Sequence, residues 1–187
     1  MICLTIDLRL PYDMMSQAGM NQNEVRNLET DVGWFRIEAS GGELTRADWI
    51  CSTGLSEASA SPLLEEAVHQ LRTYLAGRLR RFSLPLAWGS ITGFRRDVLQ
   101  VVAGIPFGEL LSYGDIAKLI GKPGSARAVG AAVGSNPWLI VVPCHRVIGS
   151  DRKLHGFSAT GGLDTKTWLL QHEGHKIIGG KVRLKES

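Results

Sequence analysis

The chain has 187 residues, which is enough for one large domain or for two small domains that share a core. Its apolar fraction of 44% and its charged fraction of 21% are typical of an ordinary globular protein. No apolar stretch approaches the roughly 20 residues of a membrane-spanning helix, and the first residues lack a signal-peptide pattern. The composition therefore argues against a membrane partner.

The net charge of +3 is unevenly distributed along the chain. Residues 1–89 hold 8 Lys/Arg and 11 Asp/Glu, whereas residues 90–187 hold 13 Lys/Arg and 7 Asp/Glu. A basic half of this kind suits a polyanionic partner such as nucleic acid. An ordinary solvated surface explains the same imbalance, so both interpretations stay open here.

The three cysteines are Cys3, Cys51 and Cys144, an odd number with no repeating spacing. This pattern argues against a disulfide framework and favours a reducing compartment, the cytoplasm or, in a eukaryote, the nucleus. His172 and His175 are close in sequence but have no cysteine partners at zinc-site spacing. The sequence therefore predicts neither a metal nor a cofactor.

The N-terminal half contains the signals of a hairpin. Residues 1–26 fit poorly into a domain, because after a short alternation from Ile2 to Leu8 they are polar and aperiodic. Apolar segments then flank Ser40–Gly42, where two adjacent glycines favour a tight turn. We therefore predict a β-hairpin whose second strand includes Leu44–Ile50.

A helix is predicted directly after the Ser/Ala/Gly-rich residues 53–61. Ser61 is a suitable N-cap, and Pro62 is suited to the first turn. A stripe of apolar residues follows at helical spacing and predicts packing against the hairpin. The basic run Arg78–Arg81 is predicted to end the helix, since cations suit a helix C-terminus; a nucleic-acid patch is the alternative.

The C-terminal half is predicted to be mainly helical. Glycine and proline punctuate four apolar-periodic segments, and the second and third form a helix-turn-helix pattern with a tight Gly/Pro turn. The apolar run Trp138–Val142 predicts a buried strand. The four helices are expected at about 94–103, 113–120, 125–134 and 163–172.

The third of these helices is unusual because nearly all its side chains are small. Arg127 is its only long side chain, and its two glycines each cost a helix about 1 kcal/mol relative to alanine. Close approach to another surface would explain this composition. That surface is either the minor groove of DNA or another helix of the protein, and composition does not separate the two.

The segment Pro143–Val147 presents a cysteine beside a histidine and an arginine. A thiol is a strong nucleophile only as the thiolate, which His145 and Arg146 are expected to favour. The alternative is that Cys144 is simply a small buried apolar residue.

These segments together resemble the O6-alkylguanine-DNA alkyltransferases, DNA-repair proteins that transfer the alkyl group to their own cysteine. The resemblance spans about residues 94–175 in the order and spacing of that family. It is carried by residues 105–108, 112–117, 127–130, 136–137, 143–149 and 161–163, with Lys166, Leu169, Leu170, His172, Glu173 and Gly174.

The resemblance implies an α/β (α+β) fold in two domains. Residues 27–89 would form a ribonuclease-H-like α/β domain, after an N-terminal extension of residues 1–26. Residues 90–187 would form a helical, winged-helix-like domain with the helix-turn-helix and the cysteine.

The resemblance also assigns catalytic roles. Cys144 would be the nucleophile and alkyl acceptor, and His145 would be a general base acting through a water, oriented by Glu173. A water bridge also suits an extended segment, on which consecutive side chains diverge. Asn136 would brace the turn carrying the cysteine, and Tyr113 would help rotate the nucleotide and protonate the departing guanine.

The DNA-binding roles fall on the third helix and on the pocket. Arg127 would fill the gap left by the extruded base, with Ala128 and Gly130 on the same DNA-contacting helix. Lys166 would assist in the pocket, although a solvated helix lysine is the alternative. Backbone groups of Cys144, Val147 and Ser158 would read the guanine edge.

The predicted function is therefore single-turnover repair of O6-alkylguanine in double-stranded DNA by a monomer. A non-catalytic binder of alkylated DNA is the main alternative, and Cys144 together with His145 argues against it. A cysteine hydrolase is disfavoured because its Cys and His are usually distant in sequence. A transcription regulator would need more base-reading side chains on its recognition helix.

Overall fold

A three-stranded antiparallel sheet begins the part of the chain described by the computed structural model, which covers residues 23–30, 32–50 and 61–183. The predicted hairpin is confirmed: its strands pair through Phe35 and Trp49, and Gly41 and Gly42 adopt positive φ in the turn. Cys3, Cys51 and the Ile2–Leu8 alternation lie outside the described residues. The strands, in sheet order, are β1 (Glu24–Thr30), β2 (Gly33–Ser40) and β3 (Glu43–Ile50).

Strand β1 begins three residues before the expected domain start at position 27. It pairs with β2 along its whole length, from Glu24 opposite Ala39 to Thr30 opposite Gly33. Its sequence has few apolar residues, so periodicity alone did not reveal it. The pairing with β2 makes it a strand, and residues 24–26 are therefore part of the sheet.

Helix α1 (Pro62–Leu75) begins as predicted, with the Ser61 side chain accepting a hydrogen bond from the Leu64 backbone N–H. Its apolar face packs against β1 and β2. The prediction that Arg78–Arg81 ends this helix is wrong. Gly77, with φ of 72°, turns the chain away earlier, and the backbone N–H of Arg78 bonds back to the Thr73 carbonyl.

The C-terminal half contains the four predicted helices. The second of them starts with a capping box, in which Ser112 and Asp115 exchange hydrogen bonds. No helix of the described residues is long and apolar enough to cross a membrane. The elements are α2 (Gly93–Ala103), β4 (Leu111–Ser112), α3 (Tyr113–Leu119), α4 (Ala126–Gly134), β5 (Val147–Ile148), α5 (Gly162–His172), β6 (Lys176–Ile178) and β7 (Lys181–Arg183).

The predicted strand at Trp138–Val142 is wrong, although the segment is largely buried as expected. The Val142 backbone N–H bonds to the Trp138 carbonyl at 2.9 Å, and Ile140 has φ of 70°, so the backbone folds back on itself. Trp138 forms one isolated bridge with Ala47 of β3, and the Leu139 backbone N–H donates to the Ala47 carbonyl at 2.8 Å. A short apolar run signals burial more reliably than it signals an extended backbone.

The two halves of the chain share one hydrophobic core. Trp138 is fully buried, and its indole N–H donates to the Leu44 carbonyl of β3 at 2.8 Å. Tyr74 of α1 is buried against Phe107 of the C-terminal half. The N-terminal sheet and helix are therefore packed against the segment that carries the candidate site.

Candidate active site at a buried cysteine

Cys144 begins a single 3-10 turn, Cys144–Arg146, that directly follows Pro143. The turn is closed by a hydrogen bond from the Arg146 backbone N–H to the Pro143 carbonyl at 2.9 Å. The extended conformation assumed for Cys144 and His145 is therefore wrong, because the chain curls here into a helical turn. This turn places the cysteine and the two following side chains, all buried, inside the protein.

Cys144 is 2% exposed, and its surroundings shift the pKa of the thiol in opposite directions. Burial raises the pKa of the Cys144 thiol above its ordinary value, because a thiolate is poorly solvated in the interior. A hydrogen bond from the Asn136 side chain and the positive charge of Lys166 act in the opposite direction. The thiolate is thus favoured by Asn136, by Lys166 and by the backbone N–H of His145. The side chains of His145 and Arg146 contact Glu173.

Asn136 lies immediately before the loop that leads to the cysteine. Its amide N–H₂ donates to the Val142 carbonyl at 2.8 Å, and its side-chain oxygen accepts from the Trp138 backbone N–H at 3.0 Å. These bonds tie both ends of the 138–142 turn to one buried side chain. Asn136 therefore links the end of α4 to the segment that positions Cys144.

Glu173 is a buried carboxylate with several donors around it. The Arg146 guanidinium approaches it through Nε and Nη2 at 2.9 and 2.8 Å, and the Gly108 backbone N–H donates at 3.1 Å. Burial acts to raise the pKa of Glu173, but the hydrogen bonds from His145 and Arg146 outweigh it and hold the pKa well below the ordinary range. Glu173 is therefore ionised at neutral pH.

His145 is fully buried and contacts Glu173 through Nε2, 2.9 Å from Oε1. Burial lowers the pKa of His145, against the raising effect of Glu173, so the imidazole is neutral at pH 7. The contact with the carboxylate assigns its proton to Nε2. Nδ1 is buried and has no hydrogen-bond partner among the described residues, which leaves an unpaired proton acceptor beside Cys144 in the chain.

Tyr74 also reaches this cluster, and sequence reasoning missed it. Its hydroxyl donates to Glu173 Oε1 at 2.8 Å and lies 3.5 Å from His145 Nε2. The available signal was its position one helical turn after Leu71 on the buried stripe of α1. A tyrosine on such a stripe normally has a polar partner in the interior for its hydroxyl.

Tyr113 is the first residue of α3 and is half-buried close to the cysteine. Burial, and then the negative charge of an ionised Cys144, raise the pKa of its hydroxyl. A β-carbon added at Gly130 of α4 would lie 3.8 Å from the Tyr113 ring. That distance is ordinary van der Waals contact, so Gly130 of α4 lies directly beside the Tyr113 ring.

Helix α4 has a buried face and an exposed face. The buried face suits packing against other helices of the protein, and the exposed face suits close approach of an outside surface such as DNA. Val129, Ala132 and Val133 are buried, and the helix packs on α2 and α3. Arg127 and Ala128 are exposed, as are Ala131 and Gly134 one and two turns later. The protein therefore presents a helix surface that is almost free of bulky side chains, with one arginine at its start.

Lys166 is 1% exposed, so the solvated-lysine alternative is wrong. Its ammonium donates to the Val147 carbonyl at 2.6 Å and to the His155 carbonyl at 3.3 Å. Burial lowers the pKa of Lys166 to about 8, although the charge of Cys144 acts to raise it. The Val147 carbonyl thus accepts one hydrogen bond from this lysine and keeps its second lone pair, whereas Ser158 is exposed in the loop before α5.

The described residues contain no group of three or more His, Cys, Asp or Glu side chains arranged to hold a metal ion. The side chains at the site provide a thiol, a neutral imidazole, a carboxylate and an ammonium group. Such a set suits nucleophilic attack by sulfur with proton removal by the imidazole.

Known proteins with related sequences decide the family. The family model described as "6-O-methylguanine DNA methyltransferase, DNA binding domain" matches residues 93–175. A methylated-DNA–protein-cysteine methyltransferase of Mycolicibacterium paratuberculosis is 52% identical over 156 residues, 80% of this chain and 92% of that protein. The chain belongs to the methylated-DNA–protein-cysteine methyltransferase family.

Other members match a smaller or larger share of the chain. The Shigella flexneri methyltransferase is 49% identical over 110 residues, 58% of this chain, and the match spans only 63% of that relative's length. Mycobacterium tuberculosis OGT, solved in complex with DNA, is 37% identical with a TM-score of 0.70, covering 81% of this chain and 93% of its own. The mixed α/β fold is therefore that of the methyltransferase family.

The region matched by the family model contains all the predicted site residues but not Tyr74. Every predicted site residue, from Tyr113 to Glu173, lies within the region of the methyltransferase DNA-binding model. Tyr74 lies outside it, on α1 of the N-terminal half. One of the buried groups around Glu173 thus comes from the part of the methyltransferase chain that precedes this model.

Proposed function

We propose that this protein repairs DNA by transferring an alkyl group from the O6 atom of guanine to its own Cys144. The observation that carries the proposal is a buried thiol next in sequence to a neutral, carboxylate-bound His145, whose Nδ1 has no hydrogen-bond partner among the described residues. The names of the relatives support the same reaction. The same displacement would also act on O4-alkylthymine, whose alkyl carbon is likewise bound to an exocyclic oxygen.

The proton of the thiol is the first one to move. His145 Nδ1 accepts it through a bridging water, and the imidazolium is stabilised by ionised Glu173 at 2.9 Å. The positive charge of Lys166 stabilises the resulting thiolate in the interior. Without these two effects, burial would keep Cys144 protonated and unreactive.

The thiolate then attacks the alkyl carbon. The S–C bond forms as the C–O6 bond breaks, and the bonding electron pair leaves with the guanine, which takes a proton from the Tyr113 hydroxyl. The proton held by His145 returns through solvent to the tyrosinate. The product thioether on Cys144 is stable and nothing in the site reverses it, so each protein molecule acts once.

The exposed face of α4 is the proposed DNA contact. A surface of Ala128, Ala131 and Gly134 admits close approach to a minor groove, and Arg127 fills the space of a base turned out of the duplex. A solved complex of Mycobacterium tuberculosis OGT with DNA supports a DNA partner. We further propose a ribonuclease-H-like N-terminal unit, a winged-helix-like C-terminal unit and action as a monomer.

The test is the intact mass of the protein after incubation with duplex DNA that contains one O6-methylguanine. The native chain is expected to gain one methyl group per molecule, whereas Cys144→Ala gains none. Tight binding of the lesion without a mass gain would instead indicate a non-catalytic lesion binder. Release of demethylated DNA in excess over protein would contradict the single-turnover reaction.

A further inference from the structure

The Tyr74 hydroxyl is a buried polar group at the junction of the two halves of the chain. Tyr74 is 0% exposed and comes from the last turn of α1. Its hydroxyl donates to Glu173 Oε1 at 2.8 Å, across 99 residues of sequence. The same hydroxyl lies 3.5 Å from Nε2 of His145, so it touches both members of the His145–Glu173 pair.

Packing explains the ring of Tyr74 but not its hydroxyl. The ring contacts Phe82 and Phe107, with centroid distances of 5.4 and 6.2 Å, and phenylalanine would make these contacts equally well. A second interaction fixes the backbone, since His172 Nε2 lies 2.8 Å from the Tyr74 carbonyl. A buried hydroxyl has lost its hydrogen bonds to water, and a partner inside the protein has to replace them. For Tyr74 that partner is Glu173.

We propose that Tyr74 is a positioning residue for the alkyl transfer, holding Glu173 so that His145 keeps its proton on Nε2 and offers Nδ1 as the base. This inference rests on the proposed function. It assigns the N-terminal half a direct part in the reaction, because α1 supplies a group that contacts the proton-accepting pair. Tyr74 acts through Glu173, to which its hydroxyl is hydrogen-bonded, rather than on the sulfur.

The hydroxyl also tunes how strongly Glu173 attracts a proton on His145. The charged groups acting on His145 are Glu173, Arg146 and Lys166. A donor on Glu173 Oε1 disperses part of its negative charge. Without that donor the imidazolium would be more favoured, so the pKa of His145 would rise and the imidazole would remain protonated, and inactive as a base, up to a higher pH.

Tyr74→Phe tests the proposal. The single-turnover rate constant for methyl transfer from an O6-methylguanine duplex is measured across the pH range in which histidine titrates. We expect an about tenfold lower rate at neutral pH, the size of a lost hydrogen bond to a charged group. The acidic limb of the pH profile moves to higher pH, and the affinity of Cys144→Ala for lesion DNA is the same with and without Tyr74→Phe.

Thr73→Val is the matched control. It removes a hydroxyl from the neighbouring position of α1, where Thr73 donates to the His69 carbonyl at 2.7 Å on the exposed side. We expect its rate and pH profile to equal those of the native chain. The methylated fraction at completion counts the competent molecules in each variant, so misfolded protein does not affect the rate constant.

The double variant Tyr74→Phe/Glu173→Gln separates positioning from packing. If Tyr74 acts through Glu173, Tyr74→Phe has no further effect on the rate once Glu173 is replaced. An unchanged rate and pH profile in Tyr74→Phe would overturn the proposal, and so would a fall only in the competent fraction. Failure of the native chain to accept any methyl group would instead refute the proposed function, whatever Tyr74→Phe does.

Discussion

Cys144 and Lys166 form a pair of buried groups whose ionisation is coupled. The thiolate raises the pKa of the lysine and the ammonium lowers that of the thiol, while burial opposes both charges. Each charge is therefore easier to hold when the other is present. The thiol of Cys144 thus lies in the interior beside a group whose positive charge favours its ionisation.

The pairing predicts the effect of Lys166→Met, which retains the apolar stem but removes the charge. We expect the rate of methyl transfer at neutral pH to fall about tenfold, because loss of a nearby cation raises the pKa of Cys144. The increase in rate with pH that follows the ionisation of Cys144 should move to higher pH. Stopped or quenched single-turnover assays over pH measure both effects.

Lys176→Met is the control for this substitution, since Lys176 is exposed on β6. Its rate and pH profile should match those of the native chain. The pKa of Lys166 is lowered to about 8, so above that pH the lysine is mostly neutral and no longer stabilises the thiolate. The native chain should therefore react more slowly there than it would with a charged lysine. An unchanged profile in Lys166→Met would show that the charge of the lysine does not control the ionisation of Cys144.

At the level of elements, α4 combines a buried face and an exposed face in nine residues. The buried face explains why the helix forms despite two glycines, since its valines pack on α2 and α3. The exposed face has no such packing role. Its small residues are explained by the close approach of a partner, which we propose to be the DNA minor groove.

Ala131→Glu tests this assignment by adding a carboxylate to the exposed face of α4. We expect about tenfold weaker binding to duplex DNA at low salt, because the charge would face phosphates. Thermal stability should change little, since Ala131 is exposed and glutamate is a good helix former. Fluorescence anisotropy of labelled DNA, performed in the Cys144→Ala background, measures the affinity.

His69→Glu is the comparison for Ala131→Glu, because His69 is exposed on α1 of the other half of the chain. A carboxylate placed there should leave the affinity for DNA nearly unaltered. Equal weakening by the two substitutions would mean that net charge, rather than the α4 surface, controls binding.

At the level of the whole molecule, the shared core predicts that the two halves unfold together. Trp138 links them directly through its indole hydrogen bond to Leu44. Trp138→Phe removes that bond and part of the buried ring, and we expect a loss of about 2–3 kcal/mol in the free energy of unfolding. Urea titration followed by far-UV circular dichroism and by fluorescence measures the loss.

The two signals should give one coincident transition in both the native chain and Trp138→Phe. Gln100→Ala, at an exposed position of α2, is a control that should shift the midpoint of the urea titration little. Two separate transitions, with only one of them moved by Trp138→Phe, would show that the halves are energetically independent.

Local signals were sufficient for most helices. Ser61 with Pro62 marks the start of α1, and Ser112 with Asp115 marks the start of α3, because caps and turns act between neighbouring residues. The basic run Arg78–Arg81 places the end of α1 too late, because Gly77 turns the chain before it. A glycine free to adopt positive φ ends a helix more strongly than the dipole attracts cations.

The resemblance of the segments around Asn136, Cys144, Lys166 and Glu173 to those of a known family was sufficient to indicate the family, and through it predicts Cys144 as the reacting residue. Only the tertiary structure decided the conformation of residues 138–142, the burial of Lys166 and the contact of Tyr74 with Glu173. The physical reason is that pKa values, buried hydrogen bonds and a positive φ at Ile140 depend on neighbours distant in sequence, which periodicity and caps do not encode.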